Sequence, residues 1–474
     1  MSVNEATEPG PAEGPTAASA VAAGSGPAPG SGEWQALLRL AWPMMLAQFF
    51  IMATGFLDTL MAGRYGAADL GGVQLAGNLM WPIFLLLTGV TMALTPVIAQ
   101  LRGRGDLQGS GGYVRQGLWL AALASLLMVG LLRSAEPFLR LVGVADEAVV
   151  RIAADYLRAA SWGVPAVVLY VALRQVCEGL GQTLPGMLIA GAVVPINGVL
   201  NYAWIYGKFG FPELGGVGCG HATAVVFWIE LSLMVFFVRQ PFFRVLGVFS
   251  RFEWPRFAPL LELVRVGLPI GFAIFAEMVI FSVISLMISR IGVIDLAAHS
   301  IVGNINWLTY VLPMGLGGAA SIRVGYFVGA GNLPAARQVC MLALRLALIY
   351  GVLVSLLLVL GRQWLVSIYT LDPAVQGIAT ALILFVAVYQ IFDDTNAVAI
   401  GALRGYKDTT ASMVYGLVGF WVIALPVAVA LGEGYLGLPE LGVYGYWAGL
   451  TLGLCLVAGA ACWRLFATSA RPDR

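Results

Sequence analysis

Long apolar runs alternate with short polar stretches along most of the chain. From residue 33 onward the pattern predicts twelve apolar segments: 34–63, 72–102, 113–135, 149–178, 184–206, 217–238, 258–290, 296–328, 338–360, 376–403, 410–431 and 442–466. Each can form a helix crossing the hydrocarbon layer, which takes roughly 20 residues. Several are longer, so tilted or protruding helices are expected. Pro43, Pro165, Pro195, Pro269, Pro313 and Pro426 fall inside segments. Neighbouring helices can satisfy the carbonyls that a proline frees, so these read as bends rather than breaks. The fold class is an all-α membrane protein with twelve transmembrane helices. Residues 1–32 show no apolar period and carry Glu5, Glu8 and Glu13, so they read as a disordered cytoplasmic tail. They lack the basic and apolar regions of a cleaved signal peptide.

The chain is 59% hydrophobic and only 11% charged, which no soluble globular domain requires. A net charge of +1 gives nucleic-acid binding no electrostatic support. None of the five cysteines forms a C-x-x-C pair, and His221 and His299 have no metal-ligand spacing. Both histidines read as ordinary helix-start residues. With a cytoplasmic N-terminus, 18 of the 26 Lys and Arg residues fall inside, which supports both termini inside. The expected location is the bacterial inner membrane.

The chain repeats itself. Shifted by 226, residues 39–105 lie on 265–331 without a gap and share 19 identities in 67 positions. Pro43 meets Pro269, Asp69 meets Asp295, Trp81 meets Trp307, and Gly103 meets Gly329. The same shift puts Glu178-Gly179 on Arg404-Gly405. Six segments is an even number, so the two copies cross the membrane in the same direction. Parallel repeats are common in transporters, whose sites lie between the halves. The expected organisation is an N-terminal lobe over 33–238, a cytoplasmic linker over 239–257, a C-terminal lobe over 258–466 and a tail over 467–474.

Carboxylates inside apolar segments mark sites, because burying them costs roughly 2.5–3.5 kcal/mol on insertion scales. The richest stretch runs from Tyr389 to Asp408. Tyr389, Asp393 and Asn396 share one helix face, and Asp394 is turned about 100° away. Asp393 reads as the ion-binding carboxylate and Asp394 as a secondary candidate. The repeat also breaks at acids: Glu277 faces Ile51, Asp58 faces Ile284, and Asp393 faces Val167. Unshared carboxylates are the better functional candidates. Gln48, Asn78, Asn197, Asn201, Asn304 and Asn306 read as interhelical hydrogen bonds. Glu230 reads as paired or interfacial, and Arg404 and Lys407 as loop anchors. Phe49, Phe50, Met52, Met61, Phe275, Met278 and Phe281 read chiefly as lipid-facing or core residues, though such side chains also suit adaptable binding.

Several stretches together resemble one family. They are Gly55-Phe-Leu-Asp-Thr-Leu-Met-Ala-Gly63, Leu94-Thr-Pro-Val-Ile-Ala-Gln100, Cys177-Glu-Gly179, Pro212-Glu-Leu-Gly-Gly-Val-Gly-Cys-Gly220, Val311-Leu-Pro-Met314, Arg323-Val-Gly325 and Leu403-Arg-Gly-Tyr-Lys-Asp408. The chain resembles the multidrug and toxin extrusion (MATE) family, in its NorM-like bacterial branch. The resemblance implies twelve helices in two six-helix lobes around a cleft. It implies export of cationic, amphipathic drugs in exchange for Na+ or H+, with no other cofactor and with a monomer as the working unit. It places the cation site on Glu277 and Asp393, with Tyr389 beside them. Asp58 is then the N-lobe aspartate, and Tyr310 an aromatic near the cation site. Na+ on Glu277 and Asp393 is favoured on branch resemblance. Asp394 departs from the family's pattern, which has a small or polar residue there. A flippase for lipid-linked saccharides shares this architecture, but should line its cavity with Arg or Lys. Here the intramembrane charges are mostly acidic. No nucleophile–base or metal constellation suggests an enzyme, and no Walker motif suggests ATP.

Overall fold

The computed structural model describes residues 32–141, 146–244, 246–248, 252–437 and 439–470. The stretch expected to be a disordered tail lies outside these residues up to position 31, as do residues 471–474. Every regular element among the described residues is helical. In chain order the spans are α1 (Glu33–Tyr65), α2 (Ala67–Gly103), α3 (Leu107–Arg133), α4 in two pieces (Glu147–Ser161 and Val164–Gly179), α5 (Leu184–Ile205) and α6 (Gly216–Val238). They continue with α7 (Phe257–Ile288), α8 (Val293–Gly329), α9 (Leu333–Tyr369), α10 (Pro373–Gly405), α11 (Thr409–Glu433) and α12 (Val443–Ser469).

Eleven of these are long and apolar enough to cross a membrane alone, and the two pieces of α4 make a twelfth, bent by 56°. The sequence reading expected a bend in segment 149–178, and the chain breaks there instead. Gly163 sits at the corner, where an added Cβ would lie 2.6 Å from the Cα of Ala224 on α6. Pro165 opens the second piece, where its missing N–H costs nothing. The Trp228 indole on α6 donates to the Trp162 carbonyl at 3.1 Å, so a carbonyl at the break is satisfied.

The repeat is written in the turns as well as the identities. Asp106 caps α3 by accepting from Gly109 N at 2.7 Å, and Asn332, 226 residues on, caps α9 through Ala335 N at 3.1 Å. Asp146 and Asp372 cap α4 and α10 in the same way. Gly105 and Gly331 both take positive φ, at 76° and 71°. Gly181 at φ 77° is matched by Lys407 at φ 59°, a left-handed conformation unfavourable for a residue with a Cβ.

Helices α1–α6 and α7–α12 form two lobes; one buried apolar cluster is built chiefly from the first six helices and takes in Leu263, Val266 and Ile270 of α7, and a second is built from the last six. The lobes meet from the middle of the helices to the end that carries both described termini. There the backbones approach too closely for side chains. A Cβ on Gly103 would strike the Tyr326 carbonyl, and one on its repeat mate Gly329 would strike the Gln100 carbonyl. Gly89 lies against Gly271, while its mate Gly315 lies against Met45. Small residues let helices pack closely where lipid gives no hydrophobic drive. Leu37 and Ala41 of α1 share a third buried cluster with Leu316, Ala319 and Ala320 of α8.

Polar ties reinforce this seam. Arg323 donates to Glu33 at 2.5 Å, with both side chains buried. Gln100 Nε2 donates to the Gly405 carbonyl at 2.8 Å. Glu262 on α7 accepts from Tyr113 of the other lobe at 2.5 Å and from Lys407 at 2.7 Å. Toward the opposite end, no glycine approach or hydrogen bond joins the lobes among the described residues.

Breaking the Glu33–Arg323 pair from one side leaves a buried charge. Arg323→Gln is expected to cost about 3–5 kcal/mol of stability, read as a lower midpoint of thermal unfolding in detergent. The double change Glu33→Gln/Arg323→Gln is expected to lose less than the single one.

Candidate functional site

The C-terminal lobe gathers the predicted carboxylates about halfway along its helices. Tyr389, Asp393 and Asn396 of α10 are all buried, as their shared face required. Glu277 on α7 and Tyr310 on α8 are half-buried and lie within electrostatic reach of Asp393. Tyr389 faces the same charges and stands edge-on against Trp447, with ring centroids 6.0 Å apart. Glu277 is held in place from α11: the Trp421 indole donates to the Ala276 carbonyl at 3.2 Å. Trp421 lies in a π-helical turn, Val418–Ala424, of a kind that recurs at functional sites.

Asp394 has different surroundings. Its Oδ1 accepts from Gln390 Nε2 at 2.6 Å, and Gln390 Oε1 accepts from Thr309 Oγ1 at 2.7 Å. Its Oδ2 has no hydrogen-bond partner, and a Cβ on Gly351 of α9 would lie 3.0 Å from it. Pro313 cannot donate to the Thr309 carbonyl one turn below, and the Tyr350 hydroxyl takes that carbonyl at 2.8 Å. Asp394 therefore belongs to a polar seam tying α8, α9 and α10 together.

Asp58 stands apart in the other lobe. It accepts from Asn201 Nδ2 at 2.6 Å, and the same nitrogen approaches Asn197 Oδ1 at 2.9 Å. Asn197 Nδ2 and Asn201 Oδ1 are buried without partners. The six candidates in the C-terminal lobe and Asp58 thus form two centres.

Neither Glu277 nor Asp393 has an ion-pair or hydrogen-bond partner among the described residues. Two carboxylates in low dielectric without positive partners favour a cation or a proton strongly. Asn396 Oδ1, also buried and unpartnered, adds a neutral oxygen on the same helix face. Among the described residues no group of three or more His, Cys, Asp or Glu side chains forms a metal site. A small cation here would rely on two carboxylates and neutral oxygens, the donor set that hard cations accept.

The sequence model of the MatE family matches residues 43–203 and again 269–430. The two matches begin 226 residues apart, the same shift as the internal repeat. The chain belongs to the MatE family. Among curated relatives, multidrug resistance protein PmpM of Pseudomonas aeruginosa is 42% identical over 93% of this chain and 92% of its own. Multidrug resistance protein MdtK of Klebsiella pneumoniae is 39% identical over 90% of this chain and 93% of its own. A solved structure titled as the outward-facing conformation of a multidrug resistance MATE family transporter superposes with a TM-score of 0.84. It is 18% identical and covers 93% of this chain and 97% of that one. These matches place the chain in the MatE fold of twelve membrane helices.

Against that MatE frame, two sequence readings change. His299 is not a helix-start residue. It is buried seven positions into α8, 2.8 Å from Ser285 Oγ and with its ring 5.7 Å from that of Trp447. For Glu230 the interfacial alternative falls and the paired one stays: it is buried, and Arg174 is the charge it faces. His299 was visible as a break in the repeat, where it aligns with Val73, and Glu230 as an acid within an apolar run. Of the apolar side chains named with them, Phe50 packs on Gly191 beside Ala47, and Met61 packs on the N-lobe core.

Tyr350→Phe strips the Thr309 carbonyl of its donor. It is expected to cost about 1–3 kcal/mol, measured as a lower thermal midpoint.

Proposed function

We propose that this MatE protein is a secondary multidrug exporter that expels organic cations in exchange for Na+ or H+. The observation that carries the reading is the pair of Asp393, buried, and Glu277, half-buried, in one lobe without ion-pair partners among the described residues. A carboxylate there can bind Na+ through oxygen, or take a proton, since burial disfavours its charged form. Either event removes the negative charge that holds a cationic drug. Ion and drug then compete, and each displaces the other. Tyr310 and Tyr389 border the same charges and offer ring faces or hydroxyls to a cation. The names of PmpM and MdtK, both multidrug resistance proteins, support drugs as the cargo. Asp58 with Asn197 and Asn201 supplies a second polar centre in the opposite lobe, suited to cargo passing between the lobes.

The excess of Lys and Arg puts both termini in the cytoplasm of a bacterial inner membrane. The lobes then touch on the cytoplasmic side and are untied on the outer side, which is the arrangement for release outward. The working unit is a single chain, because the seam and both centres lie within it.

Glu277→Gln or Asp393→Asn is expected to abolish drug efflux from a pump-deficient host while membrane expression holds. Resistance equal to the parent's in either variant would reject the role. Asp394→Asn is expected to do less harm, because Asp394 serves the α8–α10 seam. Inverted membrane vesicles given a Na+ gradient at fixed pH, or a pH gradient without Na+, identify the coupling ion by which gradient drives drug movement.

A further inference from the structure

A cavity of about 930 Å3 opens at the end of the molecule that carries both described termini, where the start of α9 meets the start of α1 and the end of α12. Arg337, Gln338, Met341 and Arg345 of α9 line one wall, and Glu33 and Ser469 line the other. Spacings of i, i+4 and i+8 put Arg337, Met341 and Arg345 on one helix face, with the arginines about 12 Å apart along the axis. Both arginines are exposed, and neither has an ion pair or hydrogen bond among the described residues. Glu33 is already held by Arg323. Arg345 is the sole charged residue between Arg337 and Arg362. It heads a stripe of exposed apolar side chains, Ile349, Val352, Leu356 and Leu360, that continues along α9 at helical spacing. In a membrane that stripe faces acyl chains, and an arginine at its end snorkels back to the phosphate level.

The internal repeat shows what such a face holds. On α3 the mates of Arg337, Met341 and Arg345 are Gly111, Arg115 and Trp119. There the stretch ahead of α7 closes the face. A Cβ on Gly111 would strike the Leu246 carbonyl, Arg115 donates to Glu253 at 2.9 Å with both side chains buried, and Trp119 stacks on Trp254 with ring centroids 6.4 Å apart. A carboxylate with an apolar group beside it thus fills the first lobe's copy. The second lobe's copy carries two cations, and no acid among the described residues meets them.

We propose that this cavity binds an anionic phospholipid, with its phosphate between Arg337 and Arg345 and its acyl chains along the apolar stripe of α9. Guanidinium forks suit phosphate oxygens, Gln338 adds an amide donor, and basic pockets between helices at a membrane surface suit such head groups. The site is separate from the cation cluster, so the inference does not rest on the exchange reading.

The test titrates purified full-length protein in detergent with dioleoyl phosphatidylglycerol, dioleoyl phosphatidylcholine and glycerol 3-phosphate, and reads the bound species by native mass spectrometry. The wild type is expected to bind phosphatidylglycerol more tightly than the other two. Arg337→Gln/Arg345→Gln is expected to weaken phosphatidylglycerol by about fivefold for each arginine lost and to leave phosphatidylcholine unmoved. Arg337→Lys/Arg345→Lys, which keeps both charges, is expected to lose less. Arg39→Gln/Arg265→Gln takes the same charge from exposed positions outside the cavity and is expected to change nothing. An equal loss in that pair means general attraction to a basic surface and overturns the proposal, as does equal binding of the two lipids or an arginine pair without effect. Glycerol 3-phosphate bound as tightly as phosphatidylglycerol assigns the cavity to soluble phosphates and overturns the lipid. Phosphatidylglycerol bound only after Glu5→Gln/Glu8→Gln/Glu13→Gln assigns it to the chain's own acidic N-terminal stretch and overturns the lipid too.

Discussion

A carboxylate surrounded by hydrocarbon and protein has to find positive charge. Several acids of this protein find it in the chain itself. Glu33 takes Arg323, Glu262 takes Lys407, Asp408 takes Arg464, and Glu178 takes Arg174. Glu277 and Asp393 have neither an ion pair nor a hydrogen bond among the described residues, whereas Asp394 and Asp58, also without an ion pair, accept from Gln390 and Asn201. Burial alone does not mark them, because Glu33 and Asp394 are buried too. The difference lies in what each oxygen touches.

The two lobes support this shortage mechanically. Paired glycines bring backbones together along one half of the molecule, and the match of Gly103 with Gly329 makes the seam nearly symmetric. A symmetric hinge carries an asymmetric cargo of charges: the C-terminal lobe holds Glu277 and Asp393, and the N-terminal lobe holds Asp58 with two asparagines. Motion shared by both halves can therefore change the surroundings of one centre differently from the other.

Much of this was legible in the residues. Apolar length set the spans, since a helix must satisfy its own backbone in lipid. The 226-residue shift set the lobes, and it reappears in the caps Asp106 and Asn332. The grouping of Tyr389, Asp393 and Asn396 followed from helical spacing. What spacing could not give was the third dimension. The break at Gly163 depends on the backbone of α6 passing beside it, and the settled state of Asp394 depends on Gln390, Thr309 and Gly351, two of which lie on other helices. Arg404 looked like a loop anchor because its neighbours Lys407 and Asp408 are anchors. Its own guanidinium has no carboxylate within ion-pair distance among the described residues.

Lys407 gives the seam an uneven character. It holds a left-handed backbone where its repeat mate is a glycine, and in return its ammonium stays with Glu262 inside one lobe. Only the Tyr113 hydroxyl reaches Glu262 from the other side. Parting Tyr113 from Glu262 sacrifices one neutral donor and strips no ion, provided the stretch before α7 stays with α3, to which Arg115 and Glu253 tie it. Along the α1–α8 edge it must pull Glu33 from Arg323 and expose both. The molecule therefore has a cheap edge and a dear one, and it should peel rather than split.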